Sequence, residues 1–168
     1  MSSKTSTSKS KKNSAYKGLI KNLSSGGNVE GKDYMFFQYN PENFEYSRGA
    51  TYTEISAPGM SYPDAQFVRG NVRTFPVELF FIDKPHTGLI NKYMNFIGKF
   101  LPPETNTKDF VTPPEMLFVY GYFVRRCVLE DLNIKVEEFD VGSGEPTIAR
   151  FTLQLRQVGV YSGSIPKL

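Results

Sequence analysis

The chain has 168 residues, 39% of them hydrophobic, which is enough for one domain with a sizeable core and too apolar for a disordered protein. No uncharged apolar run approaches the roughly 20 residues that a bilayer demands, the polar N-terminus lacks the apolar stretch of a secretory signal, and the single Cys127 excludes an intrachain disulfide. The net charge of +3 is uneven, because Lys4, Lys9, Lys11, Lys12, Lys17 and Lys21 occupy residues 1–29 without one Asp or Glu, leaving the remainder mildly acidic.

Met1–Asn13 is Ser, Thr and Lys with no apolar residue after Met1, so it cannot bury surface to offset its ordering entropy. Tyr16, Leu19, Ile20 and Leu23 follow near helical spacing, and Ser24–Asn28 reads as a flexible joint. Residues 1–30 are therefore expected to form a basic, flexible arm, residues 31–160 the folded domain, and 161–168 a C-terminal tail. Within the domain, Tyr34–Tyr39 is a continuous apolar run closed by Asn40-Pro41, where Pro ends ladder pairing. Phe44 and Tyr46 alternate with polar residues, and Tyr52 and Ile55 do so more loosely. Phe75, Val77, Leu79 and Phe81 share one face of the next strand, and its other face carries Pro76, Glu78, Phe80 and Ile82, a pattern that predicts cover on both sides.

Leu89, Ile90, Tyr93, Met94, Ile97 and Phe100 have the spacing of an amphipathic helix over Thr87–Phe100, with Thr87 as N-cap and Leu101-Pro102-Pro103 as its stop. Three strand-like runs follow: Met116–Tyr120, then Phe123–Val136, then a run in which Ala149, Phe151, Leu153 and Leu155 alternate with Arg150, Thr152, Gln154 and Arg156. Between the last two, Val141-Gly142-Ser143-Gly144-Glu145-Pro146 reads as a mobile hairpin tip. No internal repeat marks a solenoid or propeller. The pattern predicts a mainly β domain, barrel or sandwich, with one flanking helix.

Candidates for chemistry are few. His86, the single histidine, lies in a strand-to-helix turn and reads as a solvated turn residue, with no Gly-x-Ser-x-Gly elbow to make a hydrolase of it. Cys127 follows Arg125-Arg126, whose cations could lower a thiol pKa, but on a strand Arg126 points away and a buried structural Cys is the plainer reading. One Cys and one His cannot supply a four-ligand zinc site, and no Ca²⁺ loop is present. Gly142-Ser143-Gly144 lacks the spacing and Lys of a P-loop. Glu137 with Glu138, and Glu130 with Asp131, are strand neighbours expected on opposite faces. No catalytic, cofactor or metal residue is therefore assigned, and the expectation is a non-enzyme. The lysine-rich arm could neutralise phosphates, although it lacks arginines and interleaved aromatics for base recognition; a polyanion- or nucleic-acid-binding module is the alternative reading.

Phe37-Gln38-Tyr39-Asn40-Pro41-Glu42 resembles the "F-x-(F/Y)-N-P" opening of the contractile injection system tube-protein family, a domain often found ahead of a LysM module in baseplate proteins. Tyr52–Gly59, Phe75–Asp83, Pro113–Gly121 and Gly144–Leu153 resemble the stretches that follow in that family, in order and at similar spacing. The resemblance spans Tyr34 to Val158. The chain stops at Leu168 without a LysM module, so peptidoglycan binding is not carried over, and the lysine-rich extension lies outside the family pattern.

The resemblance implies a tail-tube-like β-barrel or sandwich in a structural subunit of a contractile phage tail or injection particle, forming or adapting the inner tube at the central baseplate. It implies copies of the chain in a ring, a hexamer, with neighbouring tube, hub or baseplate wedge proteins as partners and DNA passing through the channel, and no membrane insertion. The location implied is the particle's tail or baseplate, after synthesis in a bacterial cytoplasm. Arg150, Thr152, Gln154 and Arg156 are the candidate lumen-facing residues, with an ordinary solvent-exposed face as the equal alternative. Val141, Gly142, Ser143, Gly144, Glu145 and Pro146, with Ser47–Arg69 and Met1–Asn28, are the candidate contact regions.

Overall fold

The computed structural model describes residues 17–42, 45–56, 58–59, 61–84, 87–102 and 112–159. Along them run β1 (Leu19–Asn22), β2 (Tyr34–Phe36), β3 (Ala50–Ile55), β4 (Asp64–Gly70), β5 (Thr74–Ile82), α1 (Leu89–Gly98), β6 (Met116–Tyr120), β7 (Phe123–Phe139) and β8 (Pro146–Gly159). Six strands form one antiparallel sheet in the order β2-β1-β6-β7-β8-β5, and β3 and β4 form a separate two-stranded hairpin. Among the described residues the architecture is mainly β with a single helix, and its sheets are open and sandwich-like.

Alternation along β5 and β8 explains the core. Their register sets Phe75 opposite Leu155, Val77 opposite Leu153, Leu79 opposite Phe151 and Phe81 opposite Ala149, and all eight side chains are buried. Each of the larger ones contributes about 1.5–3 kcal/mol relative to an exposed position. Helix α1 lies on this row through Ile90, Tyr93, Phe96 and Ile97. The Tyr93 ring packs on Phe81 at 4.0 Å between centroids, and its hydroxyl donates to the Phe36 carbonyl at 2.8 Å. Burial pushes that phenol up to about 12, with a smaller contribution from Glu30.

The far end of the sheet bends over the same core, where Ile20, Met35 and Phe37 join the β5–β8 cluster. The Gln38 side chain fastens this closure. Its amide donates to the Ile82 carbonyl at 2.7 Å, and its carbonyl oxygen accepts from the Ile82 N–H at 2.8 Å, so one carboxamide exchanges the pair of bonds that a strand residue would.

Several elements differ from the sequence expectation. Leu19–Asn22, with spacing near that of a helix, is strand β1, hydrogen-bonded between β2 and β6; the sheet therefore includes residues assigned to the arm. Four residues establish no period of their own, and pairing on both sides decides their state. The Ser24–Asn28 joint is tied down by buried Asp33, which accepts from the Ser25 hydroxyl and, at 2.9 Å, from the Val29 N–H. Those bonds, Ser25's first, hold the Asp33 carboxyl below the usual range.

Helix α1 starts at Leu89, and its N-cap is Gly88 in the left-handed region (φ 67°), a conformation open to glycine without strain. Thr87 is not the cap. Asp83, buried at the end of β5, reaches forward instead: Oδ1 accepts from the Thr87 N–H (3.0 Å) and hydroxyl (2.8 Å), and Oδ2 accepts from the Leu89 N–H (2.7 Å). Burial raises this carboxyl, but the hydrogen bonds from Thr87, Leu89 and Gly88 outweigh it and leave the pKa lowered. Strand β5 is also not covered on both faces within the chain, since Pro76 and Glu78 are exposed and Phe80 and Ile82 only half-buried.

Candidate assembly surfaces

The β3–β4 hairpin is the most exposed element described. Every residue of both strands is exposed, including Tyr52 (59%), Ile55, Phe67 (58%) and Val68, with Tyr62 beyond the end of β3 at 84%. Tyr52 and Phe67 face each other across the strands, with ring centroids 5.8 Å apart. A bulge at Thr51/Tyr52 twists the pair near its root. The expected contact segment Ser47–Arg69 covers most of this hairpin; Ala57 and Met60 within it lie outside the described residues.

The root is fixed firmly. The Asn71 N–H donates to the Gly49 carbonyl at 3.0 Å, and the Thr51 hydroxyl donates to the Asn71 side chain at 2.6 Å. Just inside, the Arg73 guanidinium donates to the Tyr46 hydroxyl at 2.9 Å, which donates to Gln157 at 2.8 Å. The Arg125 guanidinium lies over the Phe123 ring at 4.4 Å and near Tyr46 at 5.8 Å. Burial raises the Tyr46 phenol, but hydrogen bonds from Arg73 and Arg125 and their charges outweigh it and the pKa is lowered.

The expected hairpin tip, Val141–Pro146, joins β7 to β8 as a bonded turn. The Asp140 carboxylate accepts from the Ser143 N–H and hydroxyl, both at 2.8 Å, and the Gly144 N–H donates to the Asp140 carbonyl at 2.9 Å, with Gly144 at φ 70°. Val141 is fully exposed at the tip and Phe139 is exposed beside it. The short Asp140 and Ser143 side chains supply these turn bonds.

Arg150, Thr152, Gln154 and Arg156 share the outward face of β8, each one position from a buried neighbour. The two arginines are bridged to flanking strands: Arg150 to Glu78 of β5 (2.7 Å) and Glu137 of β7 (3.1 Å), and Arg156 to Glu130 of β7 (3.0 Å). The bonds that Arg150 donates to Glu78 and Glu137, in that order, raise its pKa further. Alternation along β8 carries no sign of these pairings, because the partners lie on strands distant along the chain. The acidic neighbours also depart from expectation. Bulges between Leu129 and Asp131 and between Val136 and Glu138 break the alternation, so Glu137 and Glu138 do not point to opposite faces. Glu137 engages Arg150 and Glu138 engages Lys84 at 3.4 Å. Glu130 and Asp131 likewise share the charged side, Glu130 bound to Arg156 and Asp131 opposite Gln154.

Cys127 is fully buried opposite Met116. Burial, against a smaller opposing effect of Arg125, pushes its thiol up to about 12, which makes it unreactive at neutral pH. His86, Met1–Tyr16 and residues 160–168 lie outside the described residues. A groove between Tyr39–Glu42 and the outer face of β5 contains Glu78 and Arg150, already paired to each other, and among the described residues that line it there is no thiol, imidazole or aliphatic hydroxyl. Among the described residues no three or more His, Cys, Asp or Glu side chains gather as metal ligands, and no helix is long and apolar enough to cross a membrane.

The family model described as contractile injection system tube protein matches residues 15–160. No curated protein matches the chain.

Proposed function

The chain belongs to the contractile injection system tube protein family, and from that premise we propose that it is a structural, non-enzymatic subunit that forms or adapts the inner tube at the central baseplate by assembling with copies of itself into a six-membered ring. The observation that carries this reading is the β3–β4 hairpin. It buries none of its residues within its own chain, yet it exposes Tyr52, Ile55, Phe67 and Val68 together. A two-stranded hairpin is marginal by itself in water, and clustered exposed apolar side chains mark a protein interface. Contact with another subunit supplies the missing cover. The bonded tip Val141–Pro146, with exposed Val141 beside Phe139, is a second contact, directed toward neighbouring tube, hub or wedge proteins.

Arg150, Thr152, Gln154 and Arg156 are assigned to the channel wall. Because Glu78, Glu137 and Glu130 neutralise both arginines within the sheet, the wall is polar without gripping the phosphates of DNA in transit, which free cations would do. The test is a cryo-electron reconstruction of the intact particle. Density for this chain in a ring lining or capping the central channel is the expected result. A particle without the chain, with the protein left free in the lysate, overturns the proposal.

A further inference from the structure

Three arginines of the long strands are neutralised within the chain: Arg126 by Glu115, Arg150 by Glu78 and Glu137, and Arg156 by Glu130. Two others are not. Arg125 of β7 and Arg73, just ahead of β5, are half-buried, and neither has a carboxylate partner among the described residues. Glu45, the acid beside Tyr46 in the chain, is exposed and bridges to neither.

These two cations converge on one phenol. Arg73 donates to the Tyr46 hydroxyl with its guanidinium carbon 6.0 Å from the ring centre, and the guanidinium carbon of Arg125 lies 5.8 Å from the same centre. Tyr46 is no counter-ion, since its hydroxyl keeps the proton that it donates to Gln157. Burial raises this phenol, yet the hydrogen bonds and charges of the two arginines still draw it down. Arg125 gives one N–H to the Val124 carbonyl at 2.8 Å, and its Nε is buried without an acceptor. Stacking on the Phe123 ring at 4.4 Å holds Arg125 in place but supplies no negative charge. Like charges held side by side and a buried N–H left bare both cost free energy.

The cluster lies at the end of the sheet remote from the Val141 turn. There Arg126 pairs with Gly159 and Tyr120 with Phe123, and the Gln157 N–H donates to the Arg73 carbonyl at 2.8 Å. Next in sequence to Arg73, Phe123 and Gln157 stand Val72, Tyr122 and Val158, all exposed, Tyr122 at 98%. Apolar and aromatic side chains around arginine are the composition of a protein interface. A nucleic-acid surface would show a stripe of cations instead.

Resting on the reading of the chain as an assembly subunit, we propose that Arg73 and Arg125 form a binding site for the carboxylate of an Asp or Glu side chain, presented by a partner protein that covers Val72, Tyr122 and Val158. A carboxylate has two oxygens for two guanidinium groups, and it leaves the pair with a single net positive charge. Tyr46 acts as a positioning residue that holds both cations toward one point.

The test uses assembled particles containing the full chain with photoreactive benzoylphenylalanine in place of Tyr122. Irradiation is expected to crosslink it to a protein segment with an Asp or Glu beside the crosslinked residue. Arg73→Gln and Arg125→Gln are each expected to weaken binding of that partner at least about tenfold. Replacing the identified acid by Gln should do the same, and combining it with either arginine variant should cost no more than the larger single loss. The partner-side substitution leaves this chain untouched, so it decides the matter even where an arginine variant folds poorly. Particles that contain the chain but give crosslinks only to nucleic acid, to segments without an acid, or to nothing overturn this site and leave the subunit reading standing. A chain absent from the particle overturns both.

Discussion

Replacing Gln38 tests the closure of the sheet most directly. Its carboxamide makes two neutral hydrogen bonds to Ile82, at 2.7 and 2.8 Å, and each is worth about 1 kcal/mol net. Gln38→Leu removes both and leaves a half-buried N–H and carbonyl bare, for an expected loss of about 2–3 kcal/mol. Gln38→Glu keeps the acceptor but turns the donor into a second anionic oxygen facing the Ile82 carbonyl, so at pH 7 it loses at least as much. Once protonated, the introduced carboxyl can again donate to that carbonyl while accepting from the N–H. The fold thus favours the neutral acid, its folded-state pKa lies above the unfolded value, and the stability of Gln38→Glu rises as pH falls through that range. The deficit relative to the parent chain is expected to shrink between about pH 7 and about pH 4. Urea unfolding followed by far-ultraviolet circular dichroism suits a chain without Trp, and a loss of about 2 kcal/mol shifts the midpoint by about 1 M. A Gln38→Leu variant within about 0.5 kcal/mol of the parent, or a Gln38→Glu deficit independent of pH, would refute the reasoning.

Asp83→Ala frees the N–H groups of Thr87 and Leu89 and is expected to cost about 2 kcal/mol. Because the Asp83 pKa is lowered from 3.8, that difference is full above the unfolded value and vanishes as pH falls through the folded one, which acid titration of both proteins would show. Phe151→Ala, at a fully buried position against Phe81, is expected to lose about 3–5 kcal/mol in the same urea assay. The double variant Tyr52→Ser with Phe67→Ser should leave monomer stability within about 0.5 kcal/mol and abolish ring formation in sedimentation; intact rings would remove the hairpin from the interface. Cys127 should resist a thiol-specific disulfide reagent until urea unfolds the chain, and rapid labelling in native buffer would contradict its burial.

The long alternating strands were legible because burial acts on them one face at a time: Phe75 to Phe81 and Ala149 to Leu155 need no partner to reveal their period. Helix α1 was legible for the same reason, through Ile90, Tyr93 and Ile97. What escaped depends on partners distant in sequence. Strand β1 is too short to declare a period, and β2 and β6 make it a strand. Gly88 in the left-handed region, not Thr87, is the N-cap, and the Asp83 carboxylate accepts from the Thr87 and Leu89 N–H groups. Glu137 and Glu138 were placed on opposite faces because a bulge cannot be read from alternation. The contact segment Ser47–Arg69 was expected from its position, but its isolation as a free-standing hairpin was not.

The position of β8 sets an order of events during synthesis. It is the last described strand, and it lies between β7 and β5, with Thr74 paired to Arg156 and Ile82 to Ile148. Until it leaves the ribosome β5 has no strand to join, and Phe75, Val77, Leu79 and Phe81 lack their opposite row. The closing step is a long-range one, and loop-closure entropy delays it relative to the local β6–β7 turn. A nascent chain short of residues 146–159 therefore has neither a backed β7 nor a settled core. A chain lacking β8 leaves the row of Phe75, Val77, Leu79 and Phe81 without its opposite face, so the core is completed only by the last strand described.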